Sequence, residues 1–287
     1  MNVNTSPIAI LLSTYNSEKY LCEQIDSILR QSNKNWELYI RDDSSTDSTL
    51  SIISDYCSKF TNIRMLTLDK KNVGVKNSFF ELLKNVDSQY YMFCDHDDVW
   101  LPDKIEKSYR KMKEEEEKNI DTAIVVCSDL VVVDHKLQII HDSMWKYSRF
   151  FPEILKSSFK YLSVCNFVTG CTMMINSKAK DLSLPVSSHA TLHDNWIALK
   201  VLSSNGIISP IYDATILYRQ HGKNICGASE FKKTRYLSNK IKTLPTVFRN
   251  NKAAYEMAKS AGKINVFVFI GYKILYYIKR RLHASNK

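Results

Sequence analysis

The stretch that most constrains the fold is YYMFCDHDD, residues 90–98 of the chain. Its first five residues are apolar or aromatic and predict a buried strand, and Asp95, Asp97 and Asp98 follow directly. Carboxylates this close repel one another unless a cation neutralises them. Mg²⁺ and Mn²⁺ prefer oxygen ligands, and Mg²⁺ commonly sits between carboxylates and substrate phosphates. The stretch therefore predicts a site for a metal-bound diphosphate, with capping of a helix near Pro102 as the alternative.

Strands and helices alternate over the first 130 residues. Apolar runs predict strands at residues 8–13, 36–41, 63–68 and 123–127 and one that ends at Asp95. Helical periodicity predicts helices at residues 17–31, with Ser17 as cap, and at 45–60, 75–86 and about 102–117. This order predicts an α/β fold with a mostly parallel central sheet flanked by helices. Such sheets bind ligands beyond the carboxyl ends of their strands.

Polar clusters follow three of these strands, at Ser13–Asn16, Arg41–Asp47 and Lys71–Asn77. A carboxylate of Asp42 or Asp43 could accept the imide N–H of a pyrimidine base, and Tyr15 could stack on that base. Each cluster alone is also typical of turns and helix caps, and capping is the favoured interpretation for Thr46 and Asp47.

Two later segments carry further candidates. Asp194 opens the amphipathic stretch 196–202, so it is expected at a helix amino terminus, as a general base or only as a cap, with a pKa lowered by the helix dipole. The segment LYRQHGKN, residues 217–224, ends a strand. There Arg219 or Lys223 could meet phosphate oxygens, and His221 could join a metal.

Two more patterns have alternative interpretations. The stretch Gly170-Cys171-Thr172 is either a floor of small residues beneath a bound acceptor substrate or part of a core strand. The run Glu114–Glu117 lies on a helix with many basic residues, Lys104 among them, and favours a solvated face with i, i+4 pairs over a metal site.

Composition limits the class of protein. A chain of 287 residues with 44% hydrophobic content can bury a sizeable core. The seven cysteines form no Cys-x-x-Cys pair and fit buried thiols in a reducing compartment. Residues 1–7 are polar and lead into a strand, so no signal peptide is expected and a cytoplasmic location is predicted.

Positive charge is concentrated at the carboxyl terminus. Residues 230–287 hold 14 Lys and Arg against Glu230 and Glu256, a net charge of +12, which leaves −2 of the whole-chain +10 for residues 1–229. This divides the chain into a domain, 1–229, and a basic helical tail, 230–287. The apolar part of the tail is short and interrupted by Lys273, so it favours contact with an anionic membrane surface over a spanning helix. The alternative is a helix docked on the protein's own core.

Seven segments in this order resemble the family 2 glycosyltransferases of the GT-A fold, most closely their bacterial rhamnosyltransferase-like branch: IAILLSTYN, LYIRDDSSTD, NVGVKN, YYMFCDHDDVWLPDKI, NFVTGCTMMIN, HDNWIALK and LYRQHGKN. The resemblance covers residues 8 to about 227. It implies metal-dependent transfer of a sugar from a nucleoside diphosphate donor, with inversion at the anomeric carbon. The implied donor is dTDP-L-rhamnose or a similar nucleotide sugar. The implied acceptor is a lipid-linked glycan in cell-surface polysaccharide synthesis, at the inner face of the cell membrane.

Motifs and resemblance together predict the site. Asp194 is the catalytic base, and Asp97 with His221 holds Mg²⁺ or Mn²⁺. The acceptor contacts are Gly170, Cys171 and Trp196. The donor contacts are Thr14, Tyr15, Asn16, Asp42, Asp43, Asn72, Lys76, Asp95, Arg219 and Lys223. Two positions depart from the family pattern: Asn195 replaces a tryptophan, and Ser44 replaces a glycine, so the turn at Ser44 is expected to avoid positive φ.

Two other functions fit parts of the sequence. A nucleotidyltransferase of related fold should carry a Gly-rich, Arg-containing phosphate loop after the first strand, and Ser13–Asn16 is not one. A non-catalytic binder of acidic polymer could use the basic tail, but it would not need Asp97 and Asp194. No nucleic acid partner is expected.

Overall fold

The order of elements follows the predicted alternation. A computed structural model describes residues 6–67, 71–222, 224, 227–228 and 240–282, and their side chains except those of 240–248. The strands are β1 Ile8–Thr14, β2 Trp36–Asp42, β3 Ile63–Met65, β4 Tyr90–Cys94, β5 Val99–Trp100, β6 Ile124–Asp134, β7 Ile139–His141, β8 Met173–Asn176 and β9 Ile207–Gln220. The helices are α1 Leu21–Leu29, α2 Thr49–Lys59, α3 Gly74–Asn85, α4 Lys104–Lys118, α5 Met144–Tyr147, α6 Pro152–Leu155, α7 Phe159–Val164, α8 Ser177–Ser183, α9 His193–Ser203, α10 Lys240–Ala261 and α11 Val266–Leu282, with a 3₁₀ turn at Gly170–Thr172.

One sheet holds the described strands in the order β3-β2-β1-β4-β8-β6-β9-β5, and β7 pairs with β6. The first four strands are mutually parallel, as predicted. Beyond them the sheet is mixed, because β8 runs antiparallel to both β4 and β6, whereas β6 and β9 are parallel. The parallel half brings the carboxyl ends of β1, β2 and β4 to one edge.

Both faces of the sheet are covered, which explains the continuous apolar runs of its strands. Alternate residues of β1 enter two cores: Leu11 packs with α3 and α9, and Ile10 packs with α1. Every residue of β1 is buried. The apolar strand bodies thus fix the positions of the polar residues that follow them.

The turn after β2 contradicts the expectation for Ser44, which adopts φ +69°. Hydrogen bonds on both sides hold this left-handed conformation. Asp42 accepts from the Ser45 amide at 2.8 Å, and the Asp43 amide donates to the Thr14 carbonyl at 2.9 Å. Of the two residues predicted to cap the next helix, Asp47 accepts from the Thr49 amide at 3.0 Å at the start of α2, whereas the hydroxyl of Thr46 donates to Asn16 instead.

The described part of the tail, residues 240–282, consists of α10, α11 and a short connection between them. The boundary predicted at residue 229 lies outside the described residues. Helix α10 packs on α9, and α11 packs on α7. In the described part of the chain no single helix has the length and apolar character of a membrane span. Residues 249–261 and 266–282 meet these criteria only as a pair bent by 117°.

Candidate active site

A cavity of about 630 Å³ opens at the carboxyl ends of β1, β2 and β4. The start of α9 and the end of β9 form its other walls, so residues distant in sequence face one space. Nine of the predicted site residues line it: Tyr15, Asn16, Asp43, Asn72, Asp95, Asp97, Gly170, Asp194 and His221. The structure therefore brings together the acidic turn, the predicted base and the histidine.

Asp42 and Thr14 are predicted to contact the donor, but they do not line this cavity. Thr14 Oγ1 donates to Asp42 Oδ1 at 2.9 Å, and Ser45 donates to the same carboxylate through both its amide and its hydroxyl. These bonds fold the turn between β2 and α2. Of the two adjacent aspartates, only Asp43 faces the cavity.

Asp43 also stabilises one wall of the cavity. Its buried carboxylate pairs with Arg41 at 2.6 Å and accepts from the amides of Val73 and Gly74, each at 2.8 Å. It therefore fixes the loop that carries Asn72 and the amino terminus of α3. Lys76, predicted to contact the donor, instead donates to the Ala190 carbonyl at 3.1 Å and is not part of the cavity lining.

The acidic turn meets the end of β9 on the opposite side. Asp97 Oδ2 lies 2.6 Å from His221 Nε2, and the two residues are 124 positions apart. Asp95 faces the same space, and its pKa is raised to about 7 by burial and by the charges of Asp97 and Asp194. Clustered carboxylate oxygens with one imidazole are a donor set that suits Mn²⁺ or Mg²⁺. These residues fit the predicted divalent cation.

A second acidic group shares Asp95 with the first. Donor atoms of Asp95, Asp98 and Cys171 lie within 4.8 Å of one another. Burial first, and then the charge of Asp98, raises the pKa of the Cys171 thiol well above its usual value. A protonated thiol is a poor ligand for a hard cation. Cys171 is buried and hydrogen-bonded to Asp98, so it does not form the predicted acceptor floor.

Arg219 has a different place from the one predicted, since its side chain is only 3% exposed and lies outside the cavity lining. Its Nε donates to the Asp97 carbonyl at 2.8 Å, its Nη1 to the His135 carbonyl at 3.0 Å, and its Nη2 to Glu23. Its backbone amide donates to Asp98 Oδ1 at 3.1 Å. The prediction of a phosphate contact is therefore replaced by a structural role, in which Arg219 ties the acidic turn to β9.

Asp194 occupies the first turn of α9, as predicted, and faces the cavity. Its Oδ2 accepts from the Gly170 amide at 3.1 Å, and its Oδ1 accepts from the Asn195 amide at 2.5 Å. The predicted lowering of its pKa is wrong: burial outweighs these hydrogen bonds and raises the pKa to about 6. The raised pKa suits a general base better than the lowered one would.

His193 is a cavity residue that the sequence analysis did not identify. Its ring lies 4.1 Å from Phe79 and 5.0 Å from Phe93 between centroids, and burial lowers its pKa to about 3, so it is neutral. A Cβ on Gly170 would lie 2.5 Å from His193 Nε2. Gly170 is therefore required for close packing beside Asp194.

Trp196 and Lys104 are both core residues. Trp196, predicted to touch the acceptor, is 3% exposed and donates through Nε1 to the Ser183 carbonyl at 2.9 Å. Lys104, expected on a solvated helix face, is fully buried with its amine 4.6 Å from the Trp100 ring centroid. The rest of that face is as predicted, with Lys111 and Glu115 paired at 3.0 Å. Lys223 lies outside the described residues.

Residues 9–183 match the family described as glycosyl transferase family 2, which is more than half of the chain. The chain belongs to this family. The predicted resemblance is confirmed at this level.

Two of the relatives match over shorter parts of the chain. The putative glycosyltransferase EpsE of Bacillus subtilis is 37% identical over 106 residues, 37% of this chain and 38% of that protein. The dTDP-rhamnosyl transferase RfbG of Shigella flexneri is 36% identical over 101 residues, 34% of this chain and 35% of that protein. The matched segments therefore span little more than a third of either relative.

The fold extends further than these sequence matches. The structure of the mannosyltransferase PcManGT from Pyrobaculum calidifontis, in complex with GDP-Man and Mn²⁺, aligns with a TM-score of 0.57 at 13% identity. The alignment covers 99% of this chain and 84% of that one. The predicted GT-A fold is thereby confirmed, as a mixed sheet flanked by helices.

Proposed function

We propose that this protein is a metal-dependent glycosyltransferase that moves a sugar from a nucleoside diphosphate donor to a glycan acceptor. The observation that carries the proposal is the meeting of two groups in one cavity. The Asp97–His221 pair lies on one wall, and Asp194, a buried carboxylate with a pKa raised to about 6, lies on another. Family membership supports the same reaction class.

The donor fits the walls made by β1, β2 and α3. Tyr15 is half-exposed at the mouth and offers a ring for a base, while Asp43 and Asn72 offer polar atoms next to it. Asp95 and Asp97 then lie between the Tyr15 end of the cavity and Asp194, where the diphosphate of the donor would lie. Asp97, His221 and Asp95 would hold Mg²⁺ or Mn²⁺, which supplies positive charge for the departing nucleoside diphosphate.

Asp194 takes the proton of the acceptor hydroxyl. Hydrogen bonds from two backbone amides fix its carboxylate, so it is oriented before the acceptor arrives. Its raised pKa gives it affinity for a proton while leaving it ionised at neutral pH. Direct attack of the deprotonated hydroxyl on the anomeric carbon, opposite the departing diphosphate, would invert the configuration at that carbon.

The finer assignment is L-rhamnose from dTDP-L-rhamnose, transferred to a lipid-linked glycan in cell-surface polysaccharide synthesis. The name of the relative RfbG supports this donor. The basic tail, with a net charge of +12 from residue 230, supports a location on the inner face of the cell membrane.

A donor screen tests the proposal. Purified protein is incubated with dTDP-rhamnose, UDP-GlcNAc and GDP-mannose in Mg²⁺, in Mn²⁺ or in EDTA, and released nucleoside diphosphate is measured. We expect release from one donor, dependent on metal and strongest with dTDP-rhamnose. Release from a different donor would correct the sugar and keep the reaction class. Absence of release and of binding for every donor would overturn the proposal, as would pyrophosphate formation from a sugar phosphate and a nucleoside triphosphate.

A further inference from the structure

The outward side of α11 carries a continuous row of apolar side chains. Five of them are between 48% and 83% exposed and recur every three or four residues, which places them on one side of the helix: Phe267, Ile270, Ile274, Ile278 and Leu282. We call these five residues the α11 stripe.

The inward side of the same helix contains charged side chains that hydrogen-bond to the rest of the chain. Phe269 and Tyr276 are buried, but beside them Lys273 donates to Asn251, and Arg280 donates to the carbonyls of Ser148 and Arg149. A helix that faces water has the opposite arrangement, with its apolar side inward. The outward side of α11 is therefore suited to an apolar surrounding.

Positive charge flanks the stripe at both ends. Lys263 lies just before α11 and is exposed, and Lys279 and Arg281 lie in the last turn. A partner that complements this surface is apolar in its interior and anionic at its edge. An anionic phospholipid bilayer has this chemistry, and amphipathic helices with basic flanks lie in its headgroup region.

A second copy of the chain is a weaker fit to the same surface. One helix of 17 residues is about 25 Å long and about 10 Å wide, which gives a projected face of roughly 250 Å². Stable protein interfaces bury about 800 Å² per partner. Juxtaposed basic ends from two copies would also repel each other.

The stripe is attached to the wall of the cavity that carries the proposed base. Helix α11 packs on α7, and both α7 and α10 pack on α9. Two hydrogen bonds join α10 to the ends of α9, from Thr191 Oγ1 to Met257 Sδ at 3.4 Å and from Ser203 Oγ to the Ala261 carbonyl at 2.8 Å. Asp194 lies in the first turn of α9.

We propose that the α11 stripe inserts into the headgroup region of an anionic bilayer and holds the Asp194 side of the cavity close to the lipid surface. The benefit of this membrane contact would be the delivery of a lipid-linked acceptor, and this part of the inference rests on the proposed function. Membrane binding itself requires no catalysis, so the two can be tested separately.

The first test is sedimentation of the full chain with vesicles of phosphatidylglycerol and phosphatidylcholine in equal parts, and with phosphatidylcholine alone. The stripe variant is F267E/I274E. The matched control is I120E/I139E, which places the same charges at residues 87% and 69% exposed away from α11. We expect the stripe variant to lose at least roughly tenfold in affinity for the anionic vesicles, the cost of withdrawing an apolar side chain from lipid, and the control to bind like wild type.

A second variant keeps the stripe apolar. The chain has four tryptophans, Trp36, Trp100, Trp145 and Trp196, and all are buried, so the indole in F267W is the single exposed one. Its fluorescence should shift to shorter wavelength when anionic vesicles are added and stay unchanged with phosphatidylcholine alone. This measurement stands even if F267E/I274E does not fold.

Three results would overturn the inference. These are an unchanged F267W emission, equal vesicle binding by the stripe variant and wild type, and a dimer that F267E/I274E dissociates while vesicle binding persists. Donor hydrolysis in solution, measured on the same proteins, reports separately on the proposed function and should be equal in wild type and the stripe variant.

Discussion

The two acidic parts of the site are held in opposite ways. The turn Asp95–Asp98 is fixed from the other end of the domain, because Arg219 donates to the Asp97 carbonyl and to Asp98, and His221 lies 2.6 Å from the Asp97 carboxylate. Asp194 is held by nearby backbone amides and by burial. The first part depends on charged side-chain contacts across the fold, and the second depends on the local environment of one carboxylate.

This difference determines which changes each part tolerates. A substitution at Arg219 or His221 should alter the acidic turn from a distance, whereas Asp194 should respond mainly to the loss of its own carboxylate. Different substitutions therefore probe the two parts, which remain linked by the contribution of the Asp194 charge to the raised pKa of Asp95.

The largest expected effect is at Asp97. D97N keeps the size of the side chain but removes the charge that would hold the cation, so metal-dependent transfer should be lost. Its melting temperature should stay close to that of wild type, because one of several repelling carboxylates contributes little to stability. D181N, at an exposed aspartate, is the matched control for loss of one charge. Wild-type activity in D97N, or full activity of the native protein in EDTA, would contradict a metal-dependent mechanism.

The next effect in size is at Asp194. D194N cannot accept a proton, so turnover should fall by about 10²–10⁴-fold. Donor affinity measured by calorimetry should be unchanged, since the role proposed for Asp194 is toward the acceptor hydroxyl. The fold should be kept, because the substitution also removes a buried charge. A variant that loses donor affinity in proportion to turnover would assign Asp194 to donor binding.

A smaller effect is expected at Arg219. R219K keeps the charge but cannot reach the Asp97 carbonyl, the His135 carbonyl and Glu23 together. Residues that orient metal ligands typically change metal affinity by about 10–100-fold, so Mn²⁺ affinity should fall by that factor. R64K, in an exposed Arg–Glu pair at 3.0 Å, is the control. An equal loss of nucleotide affinity with and without metal would restore the predicted phosphate contact.

Part of this arrangement could be predicted from the sequence because it depends on local patterns. The apolar runs of β1, β2 and β4 place the residues that follow them at one edge of the sheet, and Tyr15, Asp43 and Asp97 therefore line the cavity there. Each apolar strand and the polar residues after it are adjacent in the chain. The sequence pattern therefore predicts the positions of both.

Environments created by distant residues could not be predicted. Arg219 looks like a phosphate ligand until Glu23, 196 positions away, is seen to pair with it. Lys104 follows the pattern of a solvated helix but faces the sheet. The pKa of Asp194 depends on burial by neighbouring elements, which outweighs its place at a helix amino terminus.

The pH dependence tests that burial. A carboxyl group with a raised pKa is protonated at a higher pH than usual, so a base with a pKa of about 6 is lost as pH falls through 6. At saturating metal, kcat/KM should fall by about tenfold per unit below pH 6. The residual activity of D194N should not show this fall in kcat/KM at low pH. A fall centred near the ordinary carboxyl pKa of 3.8 would show that burial does not control the base.

The smallest expected effect concerns the turn between β2 and α2, which lies beside the cavity. Ser44 adopts φ +69°, and its buried hydroxyl has no hydrogen-bond partner among the described residues. S44G removes both the backbone strain and the buried hydroxyl. Glycine loses more conformational entropy on folding, which offsets part of the gain in stability, so the free energy of unfolding should rise by about 1 kcal/mol. S44A removes only the hydroxyl and keeps the strain, so thermal melting of the two variants separates the terms. Activity should stay at the wild-type level, since Ser44 does not line the cavity. If S44A is as stable as S44G, the strain relieved at this position is no larger than the entropic cost of the glycine.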